Sequence, residues 1–219
     1  MSRFEKFQET TTRWGTVRGF WATLMRLLHR WFFLARVQVI PLDRGQQQEV
    51  EDGLDIRVVS DDELRQAALD MPKQLDREFT EAALARGDVC AMTFDGDKLV
   101  GFIWASFTNA PHDRDIWVSV ESPYAYGYKS FVLEEYRGRR LLSRMAYVRD
   151  KACIGRGRVA NVGFVETHNY ASHRAGIHAG GVDIGFAGYV KLFGKCYPFR
   201  TKAVRLTSFC FYQVVDLGR

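Results

Sequence analysis

Apolar residues along this chain follow two rhythms. Near the start, Trp14, Val17, Trp21, Leu24, Leu28, Trp31 and Ala35 recur at alternating steps of three and four. That spacing predicts an amphipathic helix. From Leu54 onward, short apolar runs alternate with helical patterns. Leu54–Val59 predicts a strand, and Ser60 followed by Asp61, Asp62 and Glu63 predicts a helix start, ended before Pro72. A second helix is expected over Asp76–Arg86, stopped by Gly87. Val89–Phe94 and Lys98–Phe107 are expected as a hairpin about Asp95-Gly96-Asp97, since Asp-Gly between apolar runs is a tight-turn signal. Thr108–Ser122 predicts a loop with an edge strand at Ile116–Val120. Then follow a strand (Tyr124–Leu133), a helix (Arg139–Ile154, with Leu141, Leu142, Met145, Val148 and Ala152 on one face), a strand (Ala160–Val165) and a helix (Asn169–Ala179). Two last strands are expected at Val182–Phe193 and Ala203–Val215. This order predicts a mixed α/β domain over residues 54–219, preceded by a helical segment over 1–44 and a polar linker over 45–53, GQQQEVEDG.

An apolar content of 47% in 219 residues suits a folded core. The formal net charge of +5 changes the picture, because all of it lies in residues 1–44, with eight Lys/Arg against three acids. The remaining residues carry 23 of each sign. A basic nucleic-acid-binding face on the body is therefore not expected, and no nucleic-acid partner is predicted. Any acidic partner should meet the first 44 residues. Tryptophan opposite arginine (Arg26, Arg30, Arg36) suits an anionic membrane surface; packing on the chain's own domain, or on a second subunit in a homodimer, is the alternative. The charges at Arg18, Arg26, Arg30 and Arg36 interrupt any span of the length a bilayer needs, and a cleaved signal is not expected. Cys90, Cys153, Cys196 and Cys210 form no CxxC and read as reduced core residues of a cytoplasmic protein, peripheral to a membrane in the interfacial reading. No metal site is expected.

Candidate chemistry sits in two stretches. Phe131–Leu142, FVLEEYRGRRLL, is an apolar strand end running into a glycine-marked, arginine-rich turn and a helix. From Asn169 the chain reads NYASHRAGIHAGG. A strand, a turn and a helix start make an anion pocket, because the first helical N–H groups lack partners and the helix dipole favours negative charge. Arginines add charge-assisted hydrogen bonds to phosphate oxygens.

These stretches resemble motifs of the GNAT acyltransferase superfamily. Its central strand ends in a pattern like V-x-P-E-Y-R-G-x-G-x-G; Val132, Glu135, Tyr136, Arg137 and Gly138 match, while Glu134, Arg140 and Leu142 replace Pro and two Gly. In the later helix, Asn169, Ser172, Arg174 and Gly180 fit the family spacing, and Gly176 stands where a Tyr is usual. The resemblance covers roughly Ile56 to Lys195. It implies a mixed, mostly antiparallel central sheet flanked by helices, and acetyl-CoA or another acyl-CoA as co-substrate with a small amine acceptor. It assigns the backbone of Phe131, Val132 and Leu133 to the pantetheine arm, and an N–H near Leu133 to the thioester carbonyl. Gly138, Arg139, Arg140, Leu141 and Leu142, with Arg137, would hold the pyrophosphate. Asn169, otherwise a helix cap, would contact the cofactor arm, and Ser172 would stand near it.

Direct acyl transfer needs a neutral amine and a protonated or stabilised leaving thiolate. Glu121, Tyr124, Tyr126, Tyr128 and His112 are candidates for deprotonating the amine, with Glu121 first and Tyr128 kept as a catalytic candidate. Ser172, His173 or His178 would take the place of the absent Tyr. Trp117 and the tyrosines of the 108–128 loop would shape the acceptor site. Two alternatives stay open: a long-chain or carrier-protein-bound donor used at a membrane surface, and a degenerate, non-catalytic binding module.

Overall fold

The computed structural model describes residues 11–43 and 53–214. The expected linker therefore lies, but for Gly53, outside the described residues. In chain order the elements are α1 (Thr16–Leu28), β1 (Phe32–Pro41), β2 (Asp55–Val58), α2 (Asp61–Asp70), α3 (Arg77–Ala85), β3 (Val89–Asp95), β4 (Lys98–Ser106), β5 (Asn109–Pro111), β6 (Ile116–Ser119), β7 (Tyr124–Val132), a 3-10 turn (Glu134–Tyr136), α4 (Leu141–Ile154), β8 (Ala160–Glu166), α5 (Tyr170–His178), β9 (Val182–Leu192), β10 (Lys195–Arg200), α6 (Lys202–Arg205) and β11 (Cys210–Gln213). The expected mixed α/β class, mostly antiparallel, is the one found. The chain forms two compact units: Met1–Ile40 with Pro111–Ser119 and Gly163–Arg219, and Pro41–Ala110 with Val120–Val162.

In the second unit, β2, β3, β4 and β7 pair antiparallel in that order, and β8 begins parallel to β7. Ser60 and Glu63 form a reciprocal capping box at α2, and Asp76 caps α3 by accepting the Phe79 N–H at 2.8 Å. The β3–β4 turn is the expected Asp-Gly one, closed by Asp95↔Lys98 with Gly96 at φ 57. Helix α4 lies on one face of the sheet, with Leu141 and Met145 packed among Ala91, Val100 and Tyr136. On the opposite face Phe79 of α3 meets Trp104 edge-on, ring centroids 5.5 Å apart.

Helix α4 departs from its expected face. Leu142 is exposed, while Arg144, Arg149 and Asp150 are buried. Arg149 donates to Asp150 Oδ1 at 3.0 and 2.6 Å, so the two charges enter the interior as a hydrogen-bonded pair. The chain narrows to Gly127 beneath them; a Cβ there would press on Asn161 and Arg149.

In the first unit, β10, β9 and β1 pair antiparallel, as do β11 and β6. Its core is aromatic. Phe33 stacks on Tyr189 at 5.1 Å, and both meet Phe211 edge-on. Phe164 and Phe209 complete the group.

Two expectations for this unit fail. The N-terminal helix ends at Leu28, and Phe32–Pro41 is a strand whose alternation buries Phe33, Ala35 and Val37. Residues Trp31 to Ile40 are rich in aromatic and β-branched side chains, and pairing with β9 overrides the helical spacing. The helix buries Gly19, Ala22 and Met25 instead of the expected stripe. At the other end, Ala203–Val215 is not one strand: Lys195–Arg200 is β10, Lys202–Arg205 a helical turn, and only Cys210–Gln213 extended. The missed β9–β10 hairpin turns at Phe193-Gly194, both left-handed (φ 51 and 76). A two-residue loop of this type wants positive φ at both positions, and Phe is an uncommon residue to supply it. Of the four cysteines, all free, Cys90 and Cys153 are buried as expected; Cys196 and Cys210 are half-buried.

His112 sits against this aromatic group, 4.7 Å from Phe33 and 5.0 Å from Phe164. Burial pushes its imidazole down to about 4 from 6.5. The unfolded chain therefore binds a proton on His112 that the folded chain refuses. The His112 contribution to stability is full above pH 6.5 and is lost as pH drops toward 4, by at most about 3 kcal/mol. Urea unfolding of His112→Phe should show a shallower acid dependence than the unmodified chain over that window; an unchanged slope would assign the acid sensitivity elsewhere.

Candidate functional site

The second unit carries the Phe131–Leu142 stretch, and its geometry starts with β7. The ladder to β4 runs from Ser106↔Tyr126 to Gly101↔Val132 with one irregularity: Ile103 faces Ser130 and Trp104 faces Tyr128. Lys129, at φ 40, is the extra residue of a bulge. The parallel ladder to β8 has three pairs and ends at Tyr126↔Val162. Leu133 N–H donates to the Val100 carbonyl at 2.9 Å. Antiparallel alternation then turns Phe131 toward β4, and Ser130 and Val132 toward the other edge. Among the described residues the Ser130 and Val132 N–H groups meet no acceptor. The Val132 carbonyl accepts Arg137 Nε at 3.4 Å. The thioester donor expected near Leu133 is thus not the Leu133 N–H, which the sheet uses.

The turn after β7 is nailed down at Tyr136. Its ring is buried with Leu141 and Met145, and its hydroxyl donates to Asp95 at 2.6 Å. Lys98, 3.1 Å from Glu135, and Arg139 both lie over that ring, at 5.3 and 5.1 Å. Beyond it Gly138 (φ 84) and Arg140 (φ 56) are left-handed, and Arg140 is the N-cap of α4 without a side-chain cap. The Arg140 carbonyl accepts Ser143 and Arg144 N–H at 3.1 and 3.2 Å. Among the described residues the N–H groups of Gly138, Arg139, Leu141 and Leu142 meet no acceptor. Arg137, Gly138, Arg139 and Arg140 are all exposed. The result is an exposed nest of amide donors ringed by guanidinium groups at a helix start, suited to a phosphate group. Arg140, where the resembled pattern has glycine, itself adopts the left-handed conformation.

Tyr128 belongs to a buried group that the sequence did not reveal. Its hydroxyl donates to Asp88 Oδ2 at 2.6 Å, and Arg86 Nη2 reaches the same oxygen at 2.7 Å and the Tyr128 oxygen at 3.2 Å. Asp88 is fully buried, and its Oδ1 has no partner among the described residues. Desolvation first, then the Asp88 charge, raises the Tyr128 hydroxyl far above its ordinary value. Tyr126 is stacked on Tyr128 at 5.6 Å, and burial raises its hydroxyl too. Glu121 is exposed in the turn before β7, where its carbonyl accepts Tyr124 N–H at 2.9 Å. A distant Asp beside Gly87 has no sequence signal linking it to β7, so this pairing was legible only in three dimensions.

Asn169 and Ser172 lie in the first unit. Asn169 caps α5, its Oδ1 accepting Ser172 N–H at 3.1 Å. Ser172 is exposed, as is most of α5, which buries no residue. His173 Nε2 is 2.7 Å from Asp183 Oδ2, and Gln38 donates to the other oxygen at 2.9 Å. Gln38 also fills the space that a Cβ at Gly176 would enter. His178 takes a weak contact from Arg174 Nε at 3.4 Å. His112 is packed in the aromatic core, and Trp117 is in β6. Among the described residues no three His, Cys, Asp or Glu gather as metal ligands.

No family model and no curated protein matches the chain. Solved structures do. A Drosophila protein aligns at a TM-score of 0.51 and 14% identity, over 80% of this chain and 58% of that one. An acetyltransferase from the GNAT family of Colwellia psychrerythraea aligns at 0.49 and 12%, over 84% and 57%. An aminoglycoside N-acetyltransferase in complex with CoA aligns at 0.45 and 18%, over 60% and 91%. The chain spans less than two thirds of the Drosophila and Colwellia chains, and the likeness is one of fold.

Tyr128→Phe removes a hydroxyl from buried Asp88 and leaves it with Arg86 alone. The expected cost is about 1–3 kcal/mol in urea unfolding. An unchanged midpoint would mean that the group contributes nothing to the fold.

Proposed function

We propose that this chain is a GNAT-type acyltransferase that moves an acyl group from acyl-CoA to a small amine. The observation that carries this reading is the continuity of β7 with its turn: two outward strand amides, Ser130 and Val132, lead directly into the exposed donor nest at Gly138–Leu142. A pantetheine arm carries amides that can add to such an edge as a short strand. The pyrophosphate that follows it suits the nest and Arg137, Arg139 and Arg140. The order of strand edge and nest along the chain follows the order of arm and diphosphate in coenzyme A, which supports the reading. The motif matches at Val132, Glu135, Tyr136, Arg137 and Gly138 support the same assignment.

The neutral amine attacks the thioester carbon, the carbonyl oxygen becomes an oxyanion, and collapse expels the thiolate. Outward N–H groups of β7 are the oxyanion donors in this proposal, in place of Leu133. Glu121 remains the base, acting on the ammonium form directly or through water. Tyr128 positions β7 through Asp88. The acceptor is a small amine.

One observation favours a second reading. Gln38 occupies the room beside Gly176 where the family carries a Tyr, so the chain also fits a module that binds acyl-CoA without transferring its acyl group.

Calorimetry with acetyl-CoA and a long-chain acyl-CoA separates these. Binding of either supports the donor assignment, and turnover with an amine distinguishes enzyme from module. Gly138→Pro removes one donor and forbids the left-handed turn; the expected loss in affinity is at least about tenfold, roughly the 1.4 kcal/mol of one charge-assisted bond, in a chain whose circular dichroism shows it still folded. Full affinity in that variant would remove the phosphate assignment. Glu121→Gln should lower turnover and leave acyl-CoA affinity unchanged; wild-type turnover across pH would clear Glu121 of the role.

A further inference from the structure

The first unit exposes apolar side chains where a folded protein usually hides them. Helix α1 buries Gly19, Ala22 and Met25 on one side, and on the other presents Val17 (83% exposed), Phe20 (67%) and Leu27 to solvent. These recur at helical spacing, so they form a ridge. One turn past Leu27 stands exposed Trp31. Its carbonyl accepts Lys191 N–H at 2.7 Å, and Phe32 pairs with Val190. That register sets Trp31 beside the β9–β10 hairpin tip, where Leu192 is half-exposed and Phe193 fully exposed. The Phe193-Gly194 turn holds that ring outward from a left-handed residue. Ridge and tip are therefore one continuous apolar edge of a single unit.

The charge around this edge is mostly positive, with Asp113 and Asp115 the acids set against it. Residues 10–42 and 184–215 contain no Asp or Glu and ten Lys/Arg. Arg13 and Arg30 flank α1 along the chain, and Lys195 follows the tip; all three are exposed, with no acidic partner among the described residues. Lys191 is the exception, 2.7 Å from Asp115 and 3.7 Å from Asp113. The positive charge that composition assigned to the N-terminal segment is thus joined in space by an acid-free C-terminal hairpin.

We infer that this edge docks on an anionic lipid bilayer, with the Phe193 tip, Trp31 and the α1 ridge entering the interface and the cations facing the headgroups. Exposed aromatic and aliphatic side chains gain by entering the acyl boundary, Trp favours headgroup depth, and each nearby Lys or Arg adds attraction to anionic lipid. Among the described residues no helix is long and apolar enough to cross a membrane, so the contact is a docking one. The inference stands on the first unit's surface and does not rest on the acyl-transfer reading.

The test uses the full chain with phosphatidylcholine vesicles, with and without phosphatidylserine, in a flotation assay. The expected result is partition onto the anionic vesicles, weakened by salt, and little onto the neutral ones. Phe193→Asn keeps the left-handed turn and should lower partition at least about tenfold. Arg30→Ala and Lys195→Ala should each lower it roughly fivefold. All three sites are exposed, so unchanged circular dichroism is expected. No binding to anionic vesicles at low salt, or full binding by Phe193→Asn, would overturn the inference. Lipid-free self-association that Phe193→Asn abolishes would overturn it too, by assigning the edge to a second copy of the chain.

Discussion

Strand β7 has more hydrogen-bonding capacity than its neighbours use, and the candidate site follows from that. On the β4 side its ladder extends through Leu133 and Val100, interrupted only by the Lys129 bulge. On the β8 side it has three pairs. Peptide groups left over at a strand edge either bind water or bind a ligand, since a buried unpaired amide is costly. The bulge sets which residues are left over. It shifts the alternation by one, so that Ser130 and Val132 face outward instead of their neighbours.

Everything around β7 holds that edge in place. Tyr128 fixes the strand from one face through buried Asp88 and Arg86. Gly127 admits Arg149 and Asn161 on the other. Tyr136 pins the following turn through its ring and its hydroxyl, so that Gly138 and Arg140 can adopt left-handed backbone at the start of α4. Charged groups are paired here, buried Arg149 with buried Asp150 and half-buried Arg86 with buried Asp88. Such pairs add little net stability, yet breaking one leaves an uncompensated charge, so each enforces its geometry.

Local signals carried much of the fold. The Ser60 cap, the Asp-Gly hairpin and the strand–turn–helix around Gly138 depend on residues close in sequence, and each appears where the sequence puts it. The failures came where distant pairing decides. Phe32–Pro41 is a strand because β9 pairs with it, and the hairpin at Phe193 carries a residue that tight turns seldom use. For the candidate site, the motif placed a turn at Arg137–Leu142, and the backbone turns there at Gly138 and Arg140. The bulge at Lys129, the Tyr128–Asp88–Arg86 group and the meeting of Trp31 with the hairpin tip have no local signature.

The central claim is that one continuous segment, from Ser130 to Leu142, receives the acyl donor. Amide hydrogen exchange with and without saturating acetyl-CoA tests it at the level of single peptides. The account predicts slowed exchange confined in the second unit to peptides holding Ser130, Val132 and Gly138–Leu142, with β2 and β3 unchanged. Saturated binding that leaves this segment's exchange unchanged would contradict it.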